Sequence, residues 1–178
     1  MGSQDVRCVA GIVVALIVLL VPVEAAAVVN PLVNPVALGQ RAQHDAHRLD
    51  ATAELHCLAL NVYHEARSEA DDGKFAVAQV TLNRVRSPRF PDSVCKVVWQ
   101  RGQFSWTSDG RSDWPHNRRA WERALWVATV AYYFNPISQV GDATHYHAVY
   151  VRPFWRDAHR RVSRIGRHVF YEARERRS

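Results

Sequence analysis

Two acids, Glu65 and Glu69, stand four residues apart in the segment Tyr63-His64-Glu65-Ala66-Arg67-Ser68-Glu69. On a helix that spacing puts both carboxylates on one face. Val62 and Ala66 are apolar neighbours of Glu65 along the same helix. A carboxyl group at the lip of an apolar cleft resists ionisation, because its charged form loses hydration there. It then holds a proton near neutral pH and can pass it to a leaving oxygen, which is the task of a glycosidase acid. Spacing alone also fits a plain solvated pair with Arg67 beside it.

Other chemistries have less support. His64-Glu65 begins like a zincin motif, but that motif needs a second His four residues after the first, and position 68 is Ser. His145 and His147, in Thr144-His145-Tyr146-His147, would share one face of a strand and so could share a metal. No third ligand follows at a telling spacing, although His159 and His168 exist. A groove role or packing is the stronger expectation for the pair, and neither a metal nor another cofactor is expected. There is no Gly-x-Ser-x-Gly elbow, and Cys57 falls on an apolar helix face, so a nucleophilic Ser or Cys is not supported.

The elements that must position these residues follow from periodicity. Leu55, Leu58, Ala59, Val62 and Ala66 recur at helical spacing, which predicts an amphipathic helix from Ala51 to about Ser68. Asp71 and Asp72 can cap a second helix with Phe75, Ala78, Leu82 and Val85 on its apolar face, stopped by Pro88. Pro91-Asp92 starts a short third helix through Val94, Val97 and Val98 that ends before Gly102. Gln103 to Asn117 reads as a loop. Arg118 to Phe134 reads as a fourth helix closed by Asn135-Pro136. The period then changes: Thr144 to Trp155 alternates and is expected to be extended, and Ile165 to Tyr171 reads as a second short strand. The fold class is mainly α (α+β), with a small β element late in the chain.

With 178 residues, 48 % of them apolar and 22 % charged, the chain has the balance of one globular domain and is too apolar for disorder. Six tryptophans exceed what a minimal core needs; most should pack inside, and some should line a groove. The stretch Cys8 to Val23 carries no charge over 16 residues and is followed by Ala25-Ala26-Ala27. That length lies between a secretory signal and a spanning helix, and Pro22 favours the signal. Residues 1–27 are therefore expected to be a cleaved signal peptide, with an uncleaved signal anchor as the alternative. A myristoylation site is disfavoured because Val6 stands where Ser or Thr is needed. Either way the domain should be exported, to the periplasm or cell envelope. Residues 28–50, with Asn30-Pro31 and Asn34-Pro35, read as a linker, residues 51–174 as the catalytic domain, and 175–178 as a basic tail.

Residues 1–27 carry Asp5, Arg7 and Glu24, a net −1, so removing them from the +6 chain leaves +7. Most of that excess lies between Val151 and Ser178, where nine arginines face Asp157, Glu172 and Glu175. Such a surface attracts polyanions: nucleic acid, anionic lipid or acidic wall polymers. Export makes nucleic acid the least expected of these, and a membrane is expected to matter only through an uncleaved anchor. Cys57 and Cys95 remain as an even pair in an oxidising compartment, either as a disulfide or as two buried thiols.

From about Leu55 to Ala173 the chain resembles the cell wall hydrolases typified by spore cortex-lytic enzymes of the SleB type. The resemblance is carried by Asn61-Val62-Tyr63-His64-Glu65-Ala66-Arg67-Ser68-Glu69 and by Ala76-Val77-Ala78-Gln79-Val80-Thr81-Leu82-Asn83-Arg84-Val85. Phe90-Pro91-Asp92-Ser93-Val94-Cys95, Gln103-Phe104-Ser105-Trp106, Ala143-Thr144-His145-Tyr146-His147 and Ile165-Gly166-Arg167-His168-Val169-Phe170 follow in the family's order. It implies a lysozyme-like single domain with the substrate groove between helices, and Glu65 as the catalytic residue. It also implies cleavage of peptidoglycan between N-acetylmuramic acid and N-acetylglucosamine, by a lytic transglycosylase or a muramidase. Gln103, Ser105 and Tyr146 would then hydrogen-bond N-acetyl and hydroxyl groups, Phe104 or Trp106 would stack on a sugar ring, and Glu69, His145 and His147 would complete the substrate-binding set. Ser108 stands where many relatives have Cys, which puts a family disulfide at that position in doubt. No separate peptidoglycan-binding domain is recognisable, so the basic tail is expected to supply wall affinity. The competing expectations are a non-catalytic wall-binding protein on the same fold and, with less support, a zinc-dependent wall amidase.

Overall fold

The computed structural model describes residues 35–134 and 139–174. The chain divides into two units, Met1–Gly39 and Gln40–Ser178. Of the first, only the start of a helix is described, so the signal or anchor reading of residues 1–27 lies outside the described residues. So do the Asn135-Pro136 stop and the tail at 175–178. Among the described residues no helix is long and apolar enough to cross a membrane.

The described residues form four α-helices and three strands in order: α1 Pro35–Ala66, α2 Asp71–Arg86, α3 Val94–Val98, α4 Arg118–Phe134, β1 His145–Ala148, β2 His159–Ile165 and β3 His168–Ala173. The first correction concerns the linker. Residues 35–50, expected to be irregular, form the first half of α1. Pro35 takes the first helical position, where its missing N–H costs nothing. The side chains of residues 42–50 are exposed, and burial sets in only at Cys57 and Leu58, so the apolar period tracks the packed half of the helix and is silent about the solvated half.

α2 is the central element. It contributes Ala78 and Leu82 to a core shared with α1, α3 and α4, where Leu58, Val62, Tyr63, Val127 and Ala128 meet. Its other face gives Ala76 and Val80 to a second cluster with Val140, Ala143 and Phe170 under the sheet. A helix packed on both sides buries its polar residues too. Gln79, Thr81, Asn83 and Arg84 are all buried, and each must find partners inside the protein. Asp71 and Asp72 in the first turn and Arg84 and Arg86 in the last complement the helix dipole. A disulfide joins Cys57 on α1 to Cys95 on α3 and decides between the two readings of that pair.

The sheet is antiparallel with order β1-β3-β2. Two late strands were expected and three are present. The stretch read as one strand from Ile165 is the end of β2, a two-residue turn at Gly166-Arg167, and β3. Gly166 has φ 53°, and a β-carbon there would collide with the Glu69 carboxylate, so the position requires glycine twice over. The expected extended run from Thr144 to Trp155 is a strand only from His145 to Ala148; Phe154–Ala158 is a 3-10 turn.

Candidate active site

Glu65 lies in the last turn of α1, half-buried in the wall of a groove of about 520 Å³. Across from it β1 presents Tyr146, whose hydroxyl donates to Glu65 Oε2 at 3.1 Å. Three bonds from α2 fix the approach to β1. Asn83 Nδ2 donates to the carbonyls of Gly141 (2.8 Å) and Ala143 (3.0 Å), and Arg84 Nε donates to that of Thr144 (2.7 Å). Tyr146 follows two residues later. The buried polar residues of α2 are thus the frame that holds the phenol against the carboxyl.

Burial pushes the Glu65 pKa above the ordinary carboxylate value, and the Tyr146 hydrogen bond and the Arg84 charge only partly oppose it. The same burial keeps Tyr146 a neutral phenol, its pKa well above the usual one, so it donates. Arg84 is lowered by burial and raised by Tyr146 and Glu65, and an arginine remains charged under either influence. Its Nη1 is buried without a protein partner, and so is Nδ1 of His168. Both residues line the groove. Burial lowers the pKa of His168 against the pull of Glu69, which favours the neutral ring.

The residues singled out from sequence divide into two groups. Gln103, Phe104, Ser105, Tyr146 and His147 line the groove with Glu65. Phe104 is otherwise buried, with the Arg84 guanidinium 5.2 Å from its ring centre. His147 donates from Nδ1 to the Ala148 carbonyl (2.8 Å) and accepts the Tyr171 hydroxyl at Nε2 (3.0 Å).

Glu69, Trp106 and His145 do not line it. Glu69 is buried away from the groove. Burial alone would raise its pKa, but hydrogen bonds from the Arg167 side chain (2.7 Å) and backbone N–H (3.2 Å) outweigh that and hold it below the usual carboxylate range. The residue that shares a helical face with Glu65 by spacing instead clamps the β2–β3 turn, because α1 ends at Ala66 and the face is not continued. Trp106 is buried against His64, ring centres 4.4 Å apart and nearly parallel, with Nε1 donating to Asn61 Oδ1 at 3.4 Å. His145 lies among Phe90, Trp155 and His159, and its pKa falls to about 4 through burial, helped by the charges of His159, Arg84 and Arg89. Arg84 and His168 are groove residues that sequence reasoning passed over. The signal for Arg84 was present: polar Gln79 and Asn83 on a helix apolar on its other faces mark a buried polar frame.

The fold and groove define a mainly helical, lysozyme-like domain with a glutamate of raised pKa, Glu65, in a polar cleft. The family model described as cell wall hydrolase matches residues 68–171, and the chain belongs to that family. Glu65 lies just ahead of the matched stretch. The spore cortex-lytic enzyme of Bacillus subtilis is 35 % identical over 126 residues, 67 % of this chain and 37 % of that enzyme. Its counterpart in Oceanobacillus iheyensis is 33 % identical over 124 residues, covering 66 % of this chain and 41 % of the relative. The chain therefore spans well under half the length of these relatives. Among solved structures, the catalytic domain of the germination-specific lytic transglycosylase SleB from Bacillus anthracis superposes with a TM-score of 0.55 at 29 % identity. That match covers 67 % of this chain and 93 % of that domain.

Proposed function

We propose that this protein cleaves the glycan strands of peptidoglycan between N-acetylmuramic acid and N-acetylglucosamine, as a lytic transglycosylase with Glu65 as both acid and base. The observation that carries this reading is the half-buried Glu65, its pKa raised by burial and its Oε2 held by Tyr146, in a groove that has no other carboxylate in its wall among the described residues. Hydrolysis by double displacement needs a second carboxyl group about 5–5.5 Å away, and inversion needs one about 6.5–9.5 Å away. Transglycosylation needs one carboxyl group in total. Glu65 gives its proton to the glycosidic oxygen, and the bond from that oxygen to C1 of the muramyl sugar breaks. Tyr146 and Arg84 stabilise the carboxylate that forms. That carboxylate takes the proton of the sugar's own C6 hydroxyl as O6 bonds to C1, closing a 1,6-anhydro ring and restoring the acid.

Export to the envelope is part of the same proposal. The uncharged stretch from Cys8 to Val23 and the Cys57–Cys95 disulfide both support it, since disulfides persist in oxidising compartments. Release of soluble glycan fragments from purified walls tests the activity. The protein should clear the suspension and its Glu65→Gln variant should not. Equal clearing by both would remove Glu65 from the chemistry.

A further inference from the structure

Beside the groove lies a second pocket of about 190 Å³, and His64 lines both. It is too small for a ligand of several rings and suits one sugar. Its rim is the 109–116 loop, which is tied to α1 on both sides of Trp114. His64 Nε2 donates to the Asp113 carbonyl at 3.0 Å, and the Tyr63 hydroxyl accepts from Asn117 N at 3.1 Å. Ser112 Oγ also accepts from Trp114 N at 3.2 Å. The loop is thereby held in shape, yet Trp114 is 70 % exposed, whereas Phe104 and Trp106 a few residues earlier are buried. An indole displayed from a braced loop over a concave wall is a platform for a flat apolar ring face. Arg67, Arg111 and Asp113 in the same wall supply donors and acceptors for hydroxyl and N-acetyl groups.

We infer that this pocket is a further sugar-binding subsite, taking a residue of the same glycan strand beyond the one at Glu65, with Trp114 as its stacking platform. The inference rests on the glycan-cleaving reading of the groove. The shared wall supplies the occupant: His64 lines both the groove and the pocket, so a strand lying along Glu65 comes within one side chain of the pocket.

Calorimetric titration of the whole protein carrying Glu65→Gln with oligomers of alternating N-acetylglucosamine and N-acetylmuramic acid tests it. Affinity should rise about tenfold once the oligomer is long enough to pass His64, and a further Trp114→Ala change should remove that gain while leaving short oligomers unaffected. Trp114 is solvent-facing, so circular dichroism should be unchanged. Affinity independent of length, a gain that survives Trp114→Ala, or no binding of any oligomer overturns the subsite. Wall clearing by the unmutated protein is scored separately. Clearing without the Trp114-dependent gain removes the subsite alone, and the gain without clearing removes the catalytic reading alone.

Discussion

Replacing Tyr146 by Phe removes one oxygen and leaves the ring in its packing against His168 and Phe170. What is lost is the hydrogen bond to Glu65 Oε2 at 3.1 Å. A bond to a charged acceptor contributes about 1.5–3 kcal/mol, and the lower end suits a groove open to water. The bond stabilises the ionised form of Glu65, so its loss favours the protonated form, by about tenfold at about 1.4 kcal/mol. In the proposed reaction Glu65 starts protonated, so activity falls as pH rises through its pKa. The alkaline limb of kcat/KM against pH should therefore move up by about one pH unit in Tyr146→Phe. The rate at the optimum should also fall, because the carboxylate formed in the first step is less well stabilised. The assay is release of soluble fragments across a pH series, with circular dichroism confirming the fold. An alkaline limb that stays in place, or moves down, refutes the assignment of that limb to Glu65 held by Tyr146.

Glu65→Gln should be at least as stable as the unmutated protein. The folded-state pKa of Glu65 is raised, so its stabilising contribution is complete below the unfolded value and is lost as pH rises through the folded one. The variant should gain Tm at neutral and alkaline pH and match the parent in acid; a loss of Tm at pH 8 would contradict this. Glu69 has the opposite sign: its pKa is lowered, so its contribution is present above the unfolded value and lost as pH falls through the folded one. Glu69→Gln should lower Tm at pH 7, converge with the parent in acid, and keep its turnover well below its Tm; abolished turnover in a folded protein would return Glu69 to the site. Removing the Cys57–Cys95 bond in the double serine variant frees a 38-residue separation. Chain entropy puts that at about 4 kcal/mol, which should lower Tm by roughly 10 °C in calorimetry.

Much of this architecture is written in local pattern. α4 coincides with the helix read from its own period and from the turn signal that follows it; α2 begins at its paired aspartates, but these sit in its first turn and do not cap it, the N-cap being Ala70 with no side-chain bond. The spacing of Glu65 fits a solvated pair equally well, and it was the resemblance to the cell wall hydrolases that singled it out; its burial became visible only once β1 was folded across it. Three features were hidden for physical reasons. The first half of α1 is solvated and has no buried face to impose a period. The role of Glu69 depends on Arg167, 98 residues later, and no spacing rule reaches across a tertiary contact. Trp106 and Trp114 are the same residue type in one loop. What separates them is Asn61 on α1, which bonds the first and leaves the second in solvent.

The most direct test of the account is mass spectrometry of the glycan ends left after the protein acts on intact peptidoglycan, beside Glu65→Gln. The account predicts 1,6-anhydro-muramyl ends that are absent in the variant, since among the described residues Glu65 is the one carboxyl group in the groove wall and the sugar's own hydroxyl must close the reaction. Reducing ends, stem-peptide fragments, or anhydro ends that persist without Glu65 would contradict it.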